Sequence, residues 1–241
     1  MKLTILGMNG PFPAAGGCTS GYLVSAGEAI IALDLGSGCL GQLSRYTAPE
    51  SLNALLLTHW HYDHCADVLP LIYRLEACAT APLHIFAPVD ETSLVRQAVQ
   101  KCAKIILHDM ARNTEFRIPD SEFRITPSSA RHPVPSLMYR IEHSGRTMCY
   151  TGDTNTVEGL DEFAQGADLL LADGLFPATA WTEAKPHLSA AHCAQLAKDA
   201  GVKTLVITHL NPMIDPENLL REARAIRIDS RLARMGDEYD I

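Results

Sequence analysis

Three stretches of this chain stay apolar for the length of a β-strand: LNALLLTH (52–59), ADLLLADG (167–174) and KTLVITHL (203–210). A strand with one solvated face alternates polar and apolar residues, whereas one apolar at nearly every position is covered on both faces. Several such strands in one chain call for a layered α/β architecture, with helices lying over the outer faces of the sheets.

The order of the other elements agrees with that layering. KLTILGM (2–8) reads as a first strand and not as a secretory leader, because Gly10–Pro11 cuts the apolar run short. TSGYLVSAG (19–27) and AIIALDLGSG (29–38) are separated at Gly27–Glu28 in the manner of a hairpin. Val68, Leu71, Ile72 and Leu75 recur at the spacing of one helix face. LHIFAP (83–88) is a strand, Asp90 caps a helix running to about Ala103, and 105–126 holds short strands. LMYRIEHSG (137–145) and RTMCYTGDT (146–154) form a hairpin turning at Ser144–Gly145. A helix over 190–200 is capped by Ser189 and ended by Gly201, and a last helix, 216–227, starts at Pro216. No linker or low-complexity segment interrupts residues 1–241, which are expected to form one domain of two β-layers flanked by helices.

Composition bounds the function. The chain carries a net charge of −8 and no basic run with interleaved aromatics, which argues against a large RNA or DNA partner. No apolar stretch approaches the roughly 20 residues that cross a bilayer. Seven cysteines without a disulfide framework imply reduced thiols and a cytoplasmic protein.

Directly after the first apolar run comes HWHYDH (59–64). Imidazole nitrogens and carboxylate oxygens suit zinc, and a short irregular loop after a rigid strand can aim several side chains at one point. In extended geometry His59 and His61 face the same side and can share a metal; Asp63 and His64, one turn on, can serve a second. Two ions need more ligands than this loop supplies. His132, Asp153 and His209 each stand where a strand ends, at an edge where side chains converge. A carboxylate such as Asp153 can bridge two ions, which an imidazole cannot.

The set H-W-H-Y-D-H (59–64), His132, T-G-D-T (151–154) and T-H-L (208–210) resembles the metallo-β-lactamase superfamily in order and spacing over nearly the whole chain. The resemblance implies an α/β fold of four layers, an αββα sandwich with the metals at one edge of the two sheets. It implies His59, His61 and His132 on one zinc, Asp63, His64 and His209 on the other, Asp153 bridging, and Asp34 orienting a ligand histidine. Members with a di-iron redox centre carry a carboxylate where this chain has His61, so the pattern favours two Zn2+ and hydrolysis, with Mn2+ or Fe2+ as alternative occupants.

His187, in KPHLSAAHCAQLAK, resembles the H-x-[ST] element of the ribonuclease Z-like branch, as do HPVPSLMYRIE around His132 and the opening LTILGMNGPFP. That branch holds tRNA 3′-processing enzymes and small cyclic-phosphodiester hydrolases. The implied reaction is a two-metal displacement on phosphorus, with Asp63 orienting the attacking water or taking its proton and His187 protonating the leaving oxygen. The tRNA-processing members carry a long protruding arm. Here only 33 residues (154–186) separate Asp153 from His187, without a basic cluster, and the N-terminal loop PFPAAGGCTS is uncharged. The acid that often adjoins the H-x-[ST] histidine is replaced by Pro186 or Leu188, so no proton relay through it is expected. The expected substrate is therefore a small anionic phosphodiester, cyclic-nucleotide-like or RNA-end-like. The alternatives are ester, thioester or lactone hydrolysis, tRNA 3′ processing, and a binding protein without catalysis. A homodimer is a further expectation from the resemblance. Trp60 and Tyr62 are expected in the core, Phe12, Phe176 and Trp181 in loops that line the mouth, His192 as structural, and Cys65 as a buried thiol.

Overall fold

The computed structural model describes residues 1–241 as two seven-stranded sheets. Chain order runs β1 (Lys2–Gly7), β2 (Gly21–Ala26), β3 (Ala29–Leu35), β4 (Ala54–Leu56), β5 (Leu83–Pro88) and β6 (Ile105–Met110) through the first sheet. It then passes to β7 (Phe116–Arg117), β8 (Arg124–Ser129), β9 (Leu137–His143), β10 (Arg146–Tyr150), β11 (Leu169–Asp173), β12 (Thr204–Thr208) and β13 (Arg231–Leu232) in the second. A last strand, β14 (Glu238–Asp240), returns to the first sheet beside β1. The spatial orders are β14-β1-β2-β3-β4-β5-β6 and β13-β12-β11-β10-β9-β8-β7. In each sheet the strands nearest the chain's crossovers are parallel (β3 to β6, β10 to β13) and the hairpin-connected ones antiparallel.

The apolar runs do cover two faces. In β11, Leu169 and Leu171 pack between the sheets while Leu170 and Ala172 pack under helices. The inter-sheet layer also takes Ile5, Tyr22, Leu33, Leu56, Tyr139 and Val206. A second layer joins the first sheet to α1 (Cys39–Leu43), α3 (Val68–Cys78) and α4 (Leu94–Lys101). The third joins the other sheet to α5 (Leu160–Ala164), α6 (Ala190–Asp199) and α7 (Pro216–Ile226). Three buried layers make a four-layer αββα sandwich. Truncating one of these buried leucines to alanine costs about 2–5 kcal/mol.

Local signals account for most element ends. Val68, Leu71 and Leu75 are the buried face of α3. Ser189 caps α6 by accepting the His192 N–H, and Asp215 caps α7 with Pro216 in its first turn. The β9–β10 turn holds Ser144 and Gly145 at positive φ, as a two-residue hairpin requires. Two readings are corrected. Ser93, not Asp90, caps α4; Asp90 instead closes a turn on the Thr92 N–H at 2.9 Å, because its carboxylate finds that nearer donor first. Regular pairing in the 52–59 run is confined to Ala54–Leu56, since beyond Leu57 the backbone leaves the ladder to present its side chains at the sheet edge. No helix is long and apolar enough to cross a membrane.

Candidate functional site

The loop that leaves β4 turns at once into α2 (Tyr62–Cys65), with His61 at its N-cap in extended conformation. That geometry divides the hexapeptide: His59 and His61 project before the turn, Asp63 and His64 after it. His61 Nδ1 lies 3.0 Å from His59 Nε2 and 3.1 Å from His132 Nε2, so three imidazoles from both sheets converge. Asp63, His64, Asp153 and His209 form a second cluster alongside. These are the two groups expected from the sequence.

Asp153 stands between them. Its Oδ2 is 3.7 Å from His59 Nε2, while its Oδ1 is 3.1 Å from His64 Nε2, so one carboxylate oxygen faces each group. Asp63 Oδ2 lies 3.7 and 3.8 Å from His64 Nε2 and His209 Nε2.

Four of the five clustered histidines have a partner on a ring nitrogen, which fixes ring orientation. His59 Nδ1 contacts Thr58 Oγ1 at 3.0 Å, His132 Nδ1 donates to the Pro186 carbonyl at 3.3 Å, and His209 Nδ1 is hydrogen-bonded to Ser20 Oγ at 3.1 Å. His64 Nδ1 donates to Asp34 Oδ2 at 2.7 Å, as expected of Asp34. Asp34 is itself held by the Thr58 N–H and hydroxyl and by the Tyr150 hydroxyl, at 2.7, 3.1 and 2.7 Å. Asp34 and His209 both adopt positive φ, 54° and 59°. Non-glycine residues take that conformation at a cost of about 1–3 kcal/mol, and here dense hydrogen bonding holds them in it. Gly10 passes so close to the His209 ring that a Cβ there would overlap it.

His64 Nε2, His209 Nε2 and Asp153 Oδ1 are buried with no hydrogen-bond partner. Burying such atoms unsatisfied is costly, and a shared cation would satisfy all three. The charge states agree. Burial pushes His59 well below the ordinary imidazole value, His132 down to about 4 and His209 down to about 3, leaving their lone pairs free at neutral pH. His64 opposes burial: Asp153, Asp34 and Asp63 around it raise its affinity for a proton, the positive charge a metal would replace. Asp153 is held well below the carboxylate range against burial, by His209, His64 and His59. A donor set of imidazoles and carboxylates of this kind fits divalent transition-metal ions.

His187 brings a correction. The sequence led us to expect no acid beside it, yet Asp173, at the end of β11, accepts its Nδ1–H at 2.7 Å. The two residues are 14 apart, so nothing local marks the pair; the signal available was that LLLAD ends at the same sheet edge as the ligands. Burial lifts the Asp173 carboxyl to about 6. Burial also opposes charge on His187, but Asp173 overrides it and lifts the imidazole to about 9. Between those values the pair is carboxylate and imidazolium. His187 stands beside His132 and His209, with ring centroids 5.4 and 5.0 Å away.

The surrounding loop residues divide. Trp60 is buried and its Nε1–H donates to the Pro88 carbonyl at 2.7 Å, whereas Tyr62, expected in the core, is 62% exposed because it opens α2 on the outer side. Cys65 is a buried thiol directed at the Trp60 carbonyl. Phe12 is exposed and Phe176 flanks His187. Trp181, expected at the mouth, packs against His192 with centroids 4.0 Å apart at a 40° tilt and donates to Asn155 Oδ1, which holds its ring against α6.

Residues 31–210 match a family model described as a beta-lactamase superfamily domain. The chain is 30% identical over 228 residues to the probable metallo-hydrolase YhfI of Bacillus subtilis, covering 94% of this chain and 93% of that one. The crystal structure of the metallo-beta-lactamase fold protein YhfI superposes with a TM-score of 0.91 at 29% identity, covering 99% of this chain and 98% of that one. Ribonuclease Z of Mycolicibacterium gilvum is 27% identical, with 99% of this chain and 94% of that one aligned. Human tRNase Z, short form, shares the fold at a TM-score of 0.78 and 19% identity over 100% of this chain and 99% of that one.

Proposed function

This chain belongs to the metallo-β-lactamase superfamily and is a metallo-hydrolase, and we propose that it hydrolyses a small phosphodiester with two zinc ions. His59, His61 and His132 would hold one ion, Asp63, His64 and His209 the other, with Asp153 shared. Bound there, the ions would lower the pKa of a water and offset charge gathering on the phosphoryl oxygens.

The observation that carries the choice of substrate is the buried Asp173–His187 pair. Asp173 occupies His187 Nδ1 and leaves Nε2 free to give a proton. Alkoxides are poor leaving groups and gain from such a donor, whereas a thiolate departs without one. In the reaction the water oxygen bonds to phosphorus, its proton passes to Asp63, the phosphorus–oxygen bond to the leaving alcohol breaks, and His187 Nε2 protonates the departing oxygen. Asp173 holds the imidazole in the tautomer that keeps Nε2 toward the substrate and stabilises its charge. In the metal-free protein burial raises the Asp63 carboxyl above its usual value. Two features support a small substrate: the short 174–187 connection and the acidic chain, which offers no extended basic track.

The test compares zinc-loaded and manganese-loaded protein on a dinucleoside monophosphate, whose leaving group is an alkoxide, and on a thioester, each for wild type and His187→Ala. Diester turnover that collapses in the variant is the expected result. Turnover of the thioester alone, indifferent to His187, would sink the proposal.

A further inference from the structure

The group attached to the departing oxygen must extend past His187, and the structure shows what lies there. Phe176 is bonded to the chain on both sides of Ser189: its N–H donates to the Leu188 carbonyl at 3.3 Å and its carbonyl accepts the Ala190 N–H at 3.1 Å. This pairing stands its ring beside His187, with centroids 5.9 Å apart at 64°. Lys185 places its ammonium 4.4 Å from the centre of the same ring and also donates to the Ala180 carbonyl. Both side chains are half-buried.

The arc 177–186 that carries Lys185 lies outside the sheets yet is pinned at several points. Trp181 packs against His192, Asn155 Nδ2 donates to the Thr182 and Lys185 carbonyls, and Arg131 donates to the Glu183 carbonyl at 2.7 Å. A subsite held this firmly needs little ordering when a ligand arrives. Its charge is also uncommitted. Neither Lys185 nor Arg131 has a carboxylate within ion-pairing distance, although the chain is acidic overall. The nearby acid Asp173 is already bound to His187, and Asp153 lies between the metal-site histidines. An unpaired ammonium over an aromatic wall, next to the proton donor, is a complement to a ring that carries negative charge.

We infer that Phe176 and Lys185 form the leaving-group subsite, and that it selects an alcohol bearing a planar ring and a negative charge beyond the scissile phosphate. This rests on the phosphodiesterase reading. It narrows the substrate class to diesters whose leaving half is itself anionic, as in a short oligonucleotide or a nucleotide ester.

Two synthetic diesters isolate the charge: methyl 4-nitrophenyl phosphate and methyl 3-carboxy-4-nitrophenyl phosphate, which differ by one carboxylate on the leaving ring. Wild-type zinc-loaded protein should prefer the carboxylated ester in kcat/KM. Lys185→Ala should lower that preference about 10-fold, through KM, and Lys185→Arg should restore it. Phe176→Leu should raise KM for both esters. A preference that Lys185→Ala leaves unmoved, while both esters are cleaved, overturns the inference and spares the phosphodiesterase reading. Wild-type protein that cleaves neither ester overturns both.

Discussion

The two sheets contribute to the site in different ways. The first supplies His59, His61, Asp63 and His64 from six consecutive residues, directed by one strand end and one helical turn. The second supplies His132, Asp153, Asp173, His187 and His209 from separate strand ends and loops between 132 and 209. The first contribution is a local motif whose spacing is itself the geometry. The second exists only when β8 to β12 lie in register. The difference teaches that a motif can announce a metal site while the residues that choose its chemistry remain dispersed.

Asp153 is where the two halves depend on one another, so its loss should have the largest effect. Asp153→Asn removes charge from the carboxylate that faces both groups. Zinc measured by mass spectrometry should fall below two per chain. Turnover should drop beyond the roughly 10–100-fold typical when only a partner of a ligand is lost. Retention of both ions with near-normal turnover would mean that the halves are held independently.

Asp173→Asn tests the half that no local pattern reveals. Diester turnover should fall about 10²–10⁴-fold, the range expected when a positioned proton donor is lost. Its pH dependence gives the sign. With Asp173 present, His187 stays protonated up to about 9, and bound cations draw that value down without abolishing the pairing. With the Asp173 carboxylate gone, burial and the neighbouring His64 favour the neutral ring against Asp153 alone, so the alkaline limb of the rate profile should move acidward. Stability follows by linkage in metal-free protein. A raised imidazole value stabilises the fold fully below about 6.5 and loses that contribution as pH rises through about 9. The urea midpoint should therefore decline across that window in wild type and stay flatter in Asp173→Asn.

These cases show what the sequence made legible. The four-layer architecture followed from apolar runs such as LLLAD and TLVIT, because a strand buried on both faces needs something to cover it. The residues of the two His/Asp clusters stood out as H-x-H-x-D-H plus a histidine or aspartate at successive strand ends, and their full division into two groups came from the family resemblance. The Asp173–His187 pair did not, because an aspartate closing an apolar strand looks the same whether it faces solvent or a histidine 14 residues on. The Asp90 cap failed for another reason: its carboxylate closes on the Thr92 N–H, and Ser93, three residues on, accepts the Arg96 N–H at the start of α4. Ser20 was missed altogether, since a serine in TSGYLV carries no mark of the His209 ring it meets.

The residues supporting the ligands should give intermediate effects. Asp34→Asn leaves the first sheet's His64 without its charged partner and should weaken zinc binding roughly 10–100-fold in a competition titration with a chromophoric chelator. Ser20→Ala removes a neutral hydroxyl from His209 in the second sheet and should fall at or below the low end of that range. An Asp34 variant no weaker than the Ser20 variant would show that charge in these supporting contacts is unimportant.

The smallest effect belongs to Tyr62, and it tests how the hexapeptide divides its faces. Trp60 and Tyr62 alternate with the histidines, but the start of α2 rotates Tyr62 outward while Trp60 stays under the helical layer with its N–H on Pro88. Trp60→Ala should therefore cost about 3–5 kcal/mol in urea unfolding. Tyr62→Ser should stay within about 0.5 kcal/mol of wild type, as expected of a surface position. If Tyr62→Ser leaves stability untouched but raises KM, the outward ring belongs to the substrate's approach. If it destabilises as Trp60→Ala does, Tyr62 is covered in solution by something that packs as tightly as a core, and the loop's outer face is an interface.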